Sequence, residues 1–224
     1  MARAFPPNEE QELIRRFFGD TPGFFVEVGA NDPHARSQTY HLEQKGWTGL
    51  LIEPQPDLAE ALRANRRARV FAVACSDPAH DGDTLTLHVA GPLSSLNRER
   101  MAPGTVPDGA IAVPVRTLGG VLAEGGAPPG FDFLSIDVEG HELEVLSGFD
   151  ARRWQPRLIL LEDHVENLAK HRAVRAMGYR LIRRYENNGW YVPEDAPQRI
   201  ASGDRWEIVR KYYLALPFRI IRNA

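Results

Sequence analysis

The stretch Phe24 to Asp32, FFVEVGAND, decides the fold. Apolar and β-branched residues run up to Gly29, with one acid, Glu27, inside the run. Such a run is typical of a buried central strand in a parallel sheet, and these sheets bind ligands at the carboxyl ends of their strands. We therefore expect an α/β fold with a ligand at the turn Gly29-Ala30-Asn31. Taken alone, the stretch fits an ordinary strand-to-helix turn equally well.

The composition predicts one domain, residues 1–224, without a membrane span. The length of 224 residues with 43% hydrophobic residues suits a single sizeable core. A net charge of -3 provides no basic field for a polyanion, so we expect no nucleic-acid partner. We interpret the arginines at 63, 66, 67 and 69 as a solvated helix face. The single cysteine, Cys75, excludes an internal disulfide, and the polar start is unlike a secretory signal, so we expect a cytoplasmic protein.

A second apolar run, Gly49 to Ile52, ends in Glu53-Pro54. Glu53 follows Gly29 by 24 residues, which places its carboxylate beside a ligand at the first turn, where it can accept both hydroxyls of a ribose. The alternative is a surface acid that precedes the helix predicted from Asp57 to Asn65. Between the two strands, we predict a helix from Ser37 to Lys45 with Ser37 as its cap.

A third strand is predicted from Val70 to Ala74, followed at the same sheet edge by Ser76, which is placed to contact an adenine ring. Thr84 to Val89 and Ala112 to Val115 are predicted as two further strands. The segment 91–109 between them is rich in Pro, Gly and Ser. A loop of this length is either a substrate loop or a mobile insertion.

The second landmark is FDFLSIDVEGHELEVLSG, residues 131–148. We predict a buried strand from Phe133 to Ile136 and a helix from about residue 140, which brings Asp137, Glu139 and His141 to the mouth of the sheet. Two carboxylates and an imidazole there indicate a catalytic site. The alternative is that the acids complement the helix dipole and that His141 is an ordinary turn residue.

The predicted strand Leu158 to Leu161 ends in Glu162-Asp163-His164 and should neighbour Asp137. Asp137, Glu162 and Asp163 could together hold Mg²⁺ or another divalent cation through oxygen ligands, or they could bind substrate hydroxyls. His164 joins Asp137, Glu139 and His141 as a candidate catalytic residue.

Further elements are predicted at the two ends of the chain. An amphipathic helix, Asn8 to Phe18, belongs to an N-terminal extension of residues 1–22. A helix over 165–177 is followed by a hairpin of strands 179–184 and 190–192, joined by an Asn-Gly turn. The tail 203–224 either docks on the core or contacts a second copy of the chain, which leaves a homo-oligomer open.

The cofactor expected from these patterns is a nucleoside without a pyrophosphate. No segment carries the Gly-x-Gly-x-x-Gly loop that binds a pyrophosphate, while the position of Glu53 still predicts a ribose. S-adenosylmethionine meets both conditions. Glu27 and the Gly29 turn would face its amino-acid end, with Glu53 at its ribose and Ser76 at its adenine.

Five motifs, EVGAND, LLIEPQP, ACSD, SSL and FLSIDVEGHELEVLSG, resemble in order those of the FkbM-type methyltransferase family, over about residues 24–192. The resemblance implies a Rossmann-like class I methyltransferase fold: a mostly parallel seven-stranded sheet with a terminal antiparallel hairpin and helices on both faces. It also implies methyl transfer from S-adenosylmethionine, usually to a hydroxyl oxygen, here of a small-molecule, sugar or polyketide-like acceptor. The candidate cofactor-binding residues are Glu27, Gly29, Ala30, Asn31, Ser37, Glu53, Pro54, Ser76 and Asp137.

The sequence departs from the family pattern at Pro33, where members often place a glycine, so the cofactor-facing loop is expected to be reshaped. His141 is the preferred base, because an imidazole titrates near neutral pH, and His164 is the reserve. Two other functions stay open: a non-catalytic nucleoside-binding module, and a nicotinamide-dependent oxidoreductase, which the missing glycine loop disfavours.

Overall fold

The computed structural model describes residues 8–165 and 168–214. Its main sheet has seven strands in the order β3-β2-β1-β7-β8-β10-β9. The first five of these strands pair in parallel, while β10 pairs antiparallel with both β8 and β9. The expected parallel sheet with a terminal antiparallel hairpin is therefore confirmed. The strands of this sheet are β1 Phe24–Val28, β2 Thr48–Ile52, β3 Arg69–Phe71, β7 Phe133–Ile136, β8 Leu158–Glu162, β9 Tyr179–Tyr185 and β10 Asn188–Pro193.

A second, three-stranded sheet lies beside the main one in the order β4-β6-β5. Its strands are β4 Ala74–Ser76, β5 Thr84–Val89 and β6 Gly109–Thr117. The helices are α1 Glu9–Phe18, α2 Tyr40–Glu43, α3 Pro56–Asn65, α4 Leu118–Gly125, α5 Glu142–Ser147, α6 Ala151–Trp154, α7 Ala169–Ala176 and α8 Ser202–Val209. Short 3-10 turns occur at Pro78–His80 and Arg98–Arg100, and a π-helical turn, Arg210–Leu214, follows α8.

Two hydrophobic cores cover the two faces of the main sheet, because side chains alternate along each strand. In β2, Leu50 and Ile52 pack into the core formed with α4 and α5, while Leu51 packs into the opposite core with α1, α2 and α3. Phe25 and Val26 of β1 alternate in the same way. The apolar runs of the sequence are therefore continuous because both faces of these strands are buried.

The predicted strand Val70 to Ala74 is wrong, because the chain changes sheets within it. Arg69–Phe71 forms the edge strand β3 beside β2. After Val73 the chain joins the small sheet, where β4 pairs in parallel with β6. Ala74 and Cys75 are buried in this second position, so hydrophobicity alone gave no sign of the change.

The hairpin is present, but its turn is at Glu186 and Asn187 rather than at the Asn-Gly pair. Asn188 pairs with Tyr185, and Gly189 pairs with Arg184, so both belong to β10. Glu186 takes the positive φ of the turn, 43°. A Cβ at Gly189 would lie 2.7 Å from the ring of Tyr191, which explains a glycine inside this strand.

Helix ends were predicted less well than strand positions. The helix expected from Ser37 to Lys45 is limited to α2, and the one expected over 165–177 is limited to α7, with residues 166–167 outside the described chain. Helix α1 agrees with the prediction, and Asn8 caps it through a reciprocal pair of hydrogen bonds with Gln11. None of the helices described is long and apolar enough to cross a membrane.

Candidate active site

A cleft opens at the carboxyl ends of β1, β2 and β7 and is closed on one side by the small sheet. The cleft has room for about 130 Å³ of water-sized volume, within a space of about 980 Å³ counted to its open mouth. Its polar lining consists mainly of Glu27, Asn31, Arg36, Gln38, Glu53, Gln55, Ser94, Ser135, Asp137, Glu139 and His141. Its apolar lining includes Val73, Cys75, Leu87 and Leu96.

The Gly29 turn forms the floor of this cleft. The backbone N–H groups of Gly29 and Ala30 both donate to the carbonyl of Ile52, at 2.9 and 3.1 Å. Gly29 has a φ of +83°, and a Cβ there would overlap the carbonyl oxygen of Asp137. Glycine is thus required by the close approach of two chain segments. The two occupied N–H groups leave no phosphate cradle at this turn.

Glu53, which follows β2, is hydrogen-bonded to the turn that follows β1 at the edge of the cleft. Its Oε2 accepts from the Asn31 N–H at 2.8 Å, and its Oε1 accepts from the Gln55 N–H at 2.9 Å. Burial raises the pKa of this carboxyl, against the opposing effect of the two backbone hydrogen bonds. A carboxylate can accept about four hydrogen bonds, and the Gln55 side chain also contacts this one, so a ligand with two hydroxyl groups would displace that side chain. Its neighbour Pro54 also lines the cleft.

Glu27 lines the cleft, but its carboxylate is occupied by the loop that follows the turn. It accepts from Thr39 Oγ1 at 2.5 Å, from the Gln38 N–H at 2.7 Å and from Ser37 Oγ at 3.0 Å. Burial raises the pKa of Glu27, while Arg66 and these donors oppose the change. Ser37 lies behind the cleft wall, with 1% of its surface exposed, so this predicted cofactor contact is wrong.

The interpretation of Arg66 as part of a solvated helix face is also wrong. Its side chain is fully buried and pairs with Glu43 at 3.3 Å. It donates to Ser37 Oγ at 3.1 Å and to Thr39 Oγ1 at 2.9 Å. Arg66 therefore fixes the same loop that Glu27 holds from the other side.

Ser76 forms a buried pair with His141 rather than the predicted adenine contact. Ser76 is fully buried, and its Oγ lies 3.0 Å from His141 Nε2. The other ring nitrogen, Nδ1, lies 3.7 Å from Glu144, and burial lowers the pKa of His141. Nε2 is engaged by Ser76, whereas Nδ1 is buried and has no hydrogen-bond partner among the described residues. His141 also lines the cleft, so its role as the base stays a prediction.

A second, larger pocket adjoins the cleft, and we call it the outer pocket. It is lined by Glu99, Arg100, Met101, Ala102, Pro103, Glu139, Gly140, Leu143, Glu162, Asp163, His164, Lys170, Arg184, Glu186, Asn187 and Lys211. Glu139 lines both spaces, so the junction between them lies at this residue. The segment 91–109 borders both, and it is attached at the junction by Ser95 Oγ, which donates to the Glu139 carbonyl at 2.7 Å.

Three carboxyl groups meet at the junction. Asp137 is exposed to the cleft, and its carboxyl contacts that of Glu162. Crowding by protein atoms, together with the charges of Glu162 and Glu139, raises the pKa of Asp137 well above its usual value. The same combination of burial and neighbouring acids raises the pKa of Glu139 to about 7. The junction therefore favours a proton or a cation among its acids.

The predicted metal grouping of Asp137, Glu162 and Asp163 is not assembled. Asp163 is 3% exposed and turns away, accepting from the Val165 N–H at 2.8 Å and from the Tyr212 hydroxyl at 2.9 Å. Glu162 points to the junction instead, and its Oε1 lies 3.0 Å from His164 Nε2. The hydrogen bond to Glu162 raises the pKa of His164.

The family of the chain follows from its sequence. The family model described as "Methyltransferase FkbM domain" matches residues 27–181, which includes the cleft floor, Glu53 and the junction. The chain belongs to the FkbM methyltransferase family. The family assignment does not favour a nicotinamide-dependent oxidoreductase, and the activity of this chain is taken up below as a proposal.

Solved structures similar to this chain match it at low identity. The methyltransferase FkbM from Methylobacillus flagellatus KT is 15% identical, with a TM-score of 0.45, over 76% of this chain and 43% of that chain. Monomeric WbdD is 16% identical, with a TM-score of 0.44, over 85% and 42%. A precorrin-6y C5,15-methyltransferase from Geobacter metallireducens GS-15 is 13% identical, with a TM-score of 0.45, over 86% and 90%.

The match spans less than half the length of the first two of these structures. None of the curated proteins compared with this chain matches it significantly.

Several lining residues were not predicted from the sequence. Val73, Leu87 and Leu96 form an apolar wall because the small sheet packs beside the cleft. Lys170 reaches the junction from α7, where it pairs with Glu142 at 2.5 Å. The amphipathic alternation of β5 was the one sequence signal for this wall, and no signal placed Lys170.

Proposed function

We propose that this chain is a methyltransferase that binds S-adenosylmethionine in the cleft and methylates a hydroxyl oxygen of a small molecule held in the outer pocket. The observation that carries the proposal is the shared junction at Glu139, because a transferred group must pass between two adjoining sites. The reaction would convert the hydroxyl to a methyl ether and leave S-adenosylhomocysteine, with the hydroxyl proton passing to the protein. The segment 91–109, which borders both spaces, is proposed as the substrate loop.

The cleft residues fit a nucleoside cofactor that lacks a pyrophosphate. Glu53 can accept two hydroxyl groups of a ribose once the Gln55 side chain is displaced, and the backbone N–H groups of Asn31 and Gln55 hold its carboxylate in place. The apolar wall of Val73, Leu87 and Leu96 suits an adenine ring. The cofactor, when bound, supplies a sulfonium-activated methyl group.

The carboxyl groups of Asp137 and Glu139 are the proposed proton acceptors. A base is most effective when its pKa lies near the working pH, and the crowded acids at the junction bring the pKa of Glu139 to about 7. Glu139 lies where the two pockets meet, and Asp137 lines the cleft beside it. By contrast, Nε2 of His141 is engaged by Ser76, and its Nδ1 is buried. His164 lies on the outer-pocket side and remains a candidate for binding the acceptor.

The outer pocket favours a polar acceptor, such as a sugar or a hydroxylated polyketide-like compound. Its lining combines acids and bases with few apolar side chains. Two of its cations are already paired, Arg100 with Glu144 at 2.9 Å and Lys170 with Glu142 at 2.5 Å. A strongly anionic acceptor is therefore less well matched than a neutral, hydroxyl-rich one.

Calorimetric titration with S-adenosylhomocysteine tests the cofactor assignment. The wild-type protein should bind one equivalent, and Glu53→Ala should weaken binding by at least about tenfold, because two hydrogen bonds to a charged group are lost. Glu60→Ala, a change at an exposed acid on the helix that follows Glu53, is the matched control and should bind like wild type.

Glu53→Gln keeps a side-chain oxygen that can accept from the backbone N–H groups of the turn. It therefore distinguishes loss of the contact with the cofactor from distortion of the turn itself. Circular dichroism checks that each variant is folded. Absence of binding to the wild-type protein would contradict the proposal. Equal affinities for the Glu53→Ala and Glu60→Ala variants would remove Glu53 from the cofactor site.

A further inference from the structure

Three potential metal ligands converge at the junction of the two pockets. A carboxylate oxygen of Glu139, a carboxylate oxygen of Glu162 and an imidazole nitrogen of His164 all lie within 4.8 Å of one another. Atoms bound to one ion at about 2.2 Å are at most about 4.4 Å apart, so an adjustment of a few tenths of an ångström would bring all three onto a single ion. Glu139 lies in the loop after β7, Glu162 is the last residue of β8, and His164 lies in the loop that follows β8.

The basic side chains around this cluster are engaged by other acids. Lys170 pairs with Glu142 and donates to the backbone carbonyl of Glu162 at 3.1 Å. Arg100 pairs with Glu144, and Arg184 lies against Asp163. The carboxylates of Glu139 and Glu162, with Asp137 beside them, therefore form a region of excess negative charge within a concave wall.

One oxygen in this cluster is buried and has no donor. Glu162 is 7% exposed, and its Oε2 accepts no hydrogen bond from an N–H or hydroxyl group of the described residues, so its carboxyl has only the acidic neighbour Asp137 besides His164. A buried carboxylate oxygen without a partner is costly, because its hydration is lost and nothing replaces it. A bound cation would supply the missing interaction, and this is an indication of a ligand that is independent of the clustering itself.

We propose that Glu139, Glu162 and His164 bind a divalent first-row metal ion, such as Mn²⁺, at the junction of the cleft and the outer pocket. Two carboxylates with one imidazole suit such an ion better than Mg²⁺, which prefers oxygen ligands alone. Three protein ligands leave coordination positions for water or for an acceptor hydroxyl. This set differs from the Asp137, Glu162 and Asp163 grouping that the sequence indicated.

The role given to the ion rests on the proposed function. When bound, the ion would make an acceptor hydroxyl easier to deprotonate. Glu139 would then serve as a ligand instead of as the proton acceptor, and the proton would leave to solvent through the outer pocket. The acceptor class then narrows to compounds that can present a hydroxyl to a metal ion, with a neighbouring oxygen as a second ligand where one is available.

Electron paramagnetic resonance of Mn²⁺ tests the site directly. Wild-type protein freed of metal by chelation should remove one equivalent of Mn²⁺ from the signal of the free ion. Glu162→Gln and His164→Ala should each raise the dissociation constant by at least about tenfold, since even indirect supports of metal sites contribute that much. Glu99→Gln, a change at an exposed acid of the outer pocket, is the matched control and should bind as wild type does.

The outcomes separate this inference from the proposed function, because S-adenosylhomocysteine binding is measured on the same samples. No Mn²⁺ binding by wild-type protein that binds S-adenosylhomocysteine would overturn the metal site and leave the cofactor cleft in place. An equal loss of Mn²⁺ affinity in Glu99→Gln and His164→Ala would show that surface acids attract the ion diffusely. This result would also overturn the metal site. If Glu162→Gln fails to fold, His164→Ala decides, because that side chain is half exposed.

Discussion

Gly29 shows at the scale of a residue how the cleft depends on the backbone. Its φ is +83°, and a side chain there would overlap the carbonyl oxygen of Asp137, which follows β7. Gly82 has a similar φ, +89°, but nothing lies within 4 Å of the position that its Cβ would occupy. The two glycines therefore separate the cost of the backbone conformation from the cost of the overlap.

We expect Gly29→Ala to lower the free energy of unfolding by about 3 kcal/mol or more, because strain in the left-handed region is joined by displacement of Asp137. Gly82→Ala should lower it by only about 1 to 2 kcal/mol, from the left-handed conformation alone. Urea unfolding of both variants measures the difference. Equal destabilisation by the two substitutions would show that the contact between Gly29 and Asp137 does not limit the packing of this turn.

The candidate site could be predicted from the sequence where a residue's position along its strand determines its place. Glu53, Asp137 and Glu139 follow the ends of adjacent parallel strands, and all three line the cleft. The partners of Ser76 and Asp163 could not be predicted in this way, because they come from elements far along the chain, such as His141 and Tyr212. These distant partners determine the direction in which the side chains of Ser76 and Asp163 point.

At the scale of elements, strands were the most predictable. β7 has the predicted bounds because it is buried along its whole length, and β5 has them because its polar and apolar side chains alternate. The division of the third strand between two sheets was not predictable, because Ala74 and Cys75 are equally well buried beside β6. As a result, the wall that the small sheet gives the cleft was missed.

The segment 91–109 is attached to the junction by polar contacts rather than by a shared core. Ser95 bonds the Glu139 carbonyl, while Arg100 donates to the Gly140 carbonyl at 3.2 Å and pairs with Glu144. Composition identified the segment as a loop, but a polar loop gives no sequence signal for the surface on which it rests. Through these contacts, the position of the segment is coupled to the position of the backbone at Glu139.

For the whole molecule, stability depends on the protonation of a histidine far from the cleft. Both ring nitrogens of His41, on α2, are buried without a hydrogen-bond partner among the described residues. Burial lowers its pKa to about 4, with Arg15 and Arg66 adding to this effect and Glu12 opposing it. In the unfolded chain its pKa is near 6.5, so below that value the unfolded state binds the additional proton.

The contribution of His41 should be present at pH 7 and be lost as the pH falls through about 6.5 to about 4. The loss amounts to up to about 3 kcal/mol of unfolding free energy. His41→Leu should flatten this part of the profile, measured by urea unfolding between pH 7 and pH 4. His88→Gln, a change on the small sheet, serves as the control and should leave the profile as in wild type. If the unfolding free energy of His41→Leu fell with pH as steeply as that of wild type, the acid sensitivity would belong to other groups.

The arrangement of two adjoining pockets around one junction is the central claim for the whole molecule. A crystal structure of the protein with S-adenosylhomocysteine tests it most directly. We predict density in the cleft with the ribose hydroxyls on Glu53, the adenine against Val73 and Leu87, and the sulfur directed toward Glu139 and the outer pocket. A ligand bound elsewhere, or one whose sulfur points away from Glu139, would contradict the account.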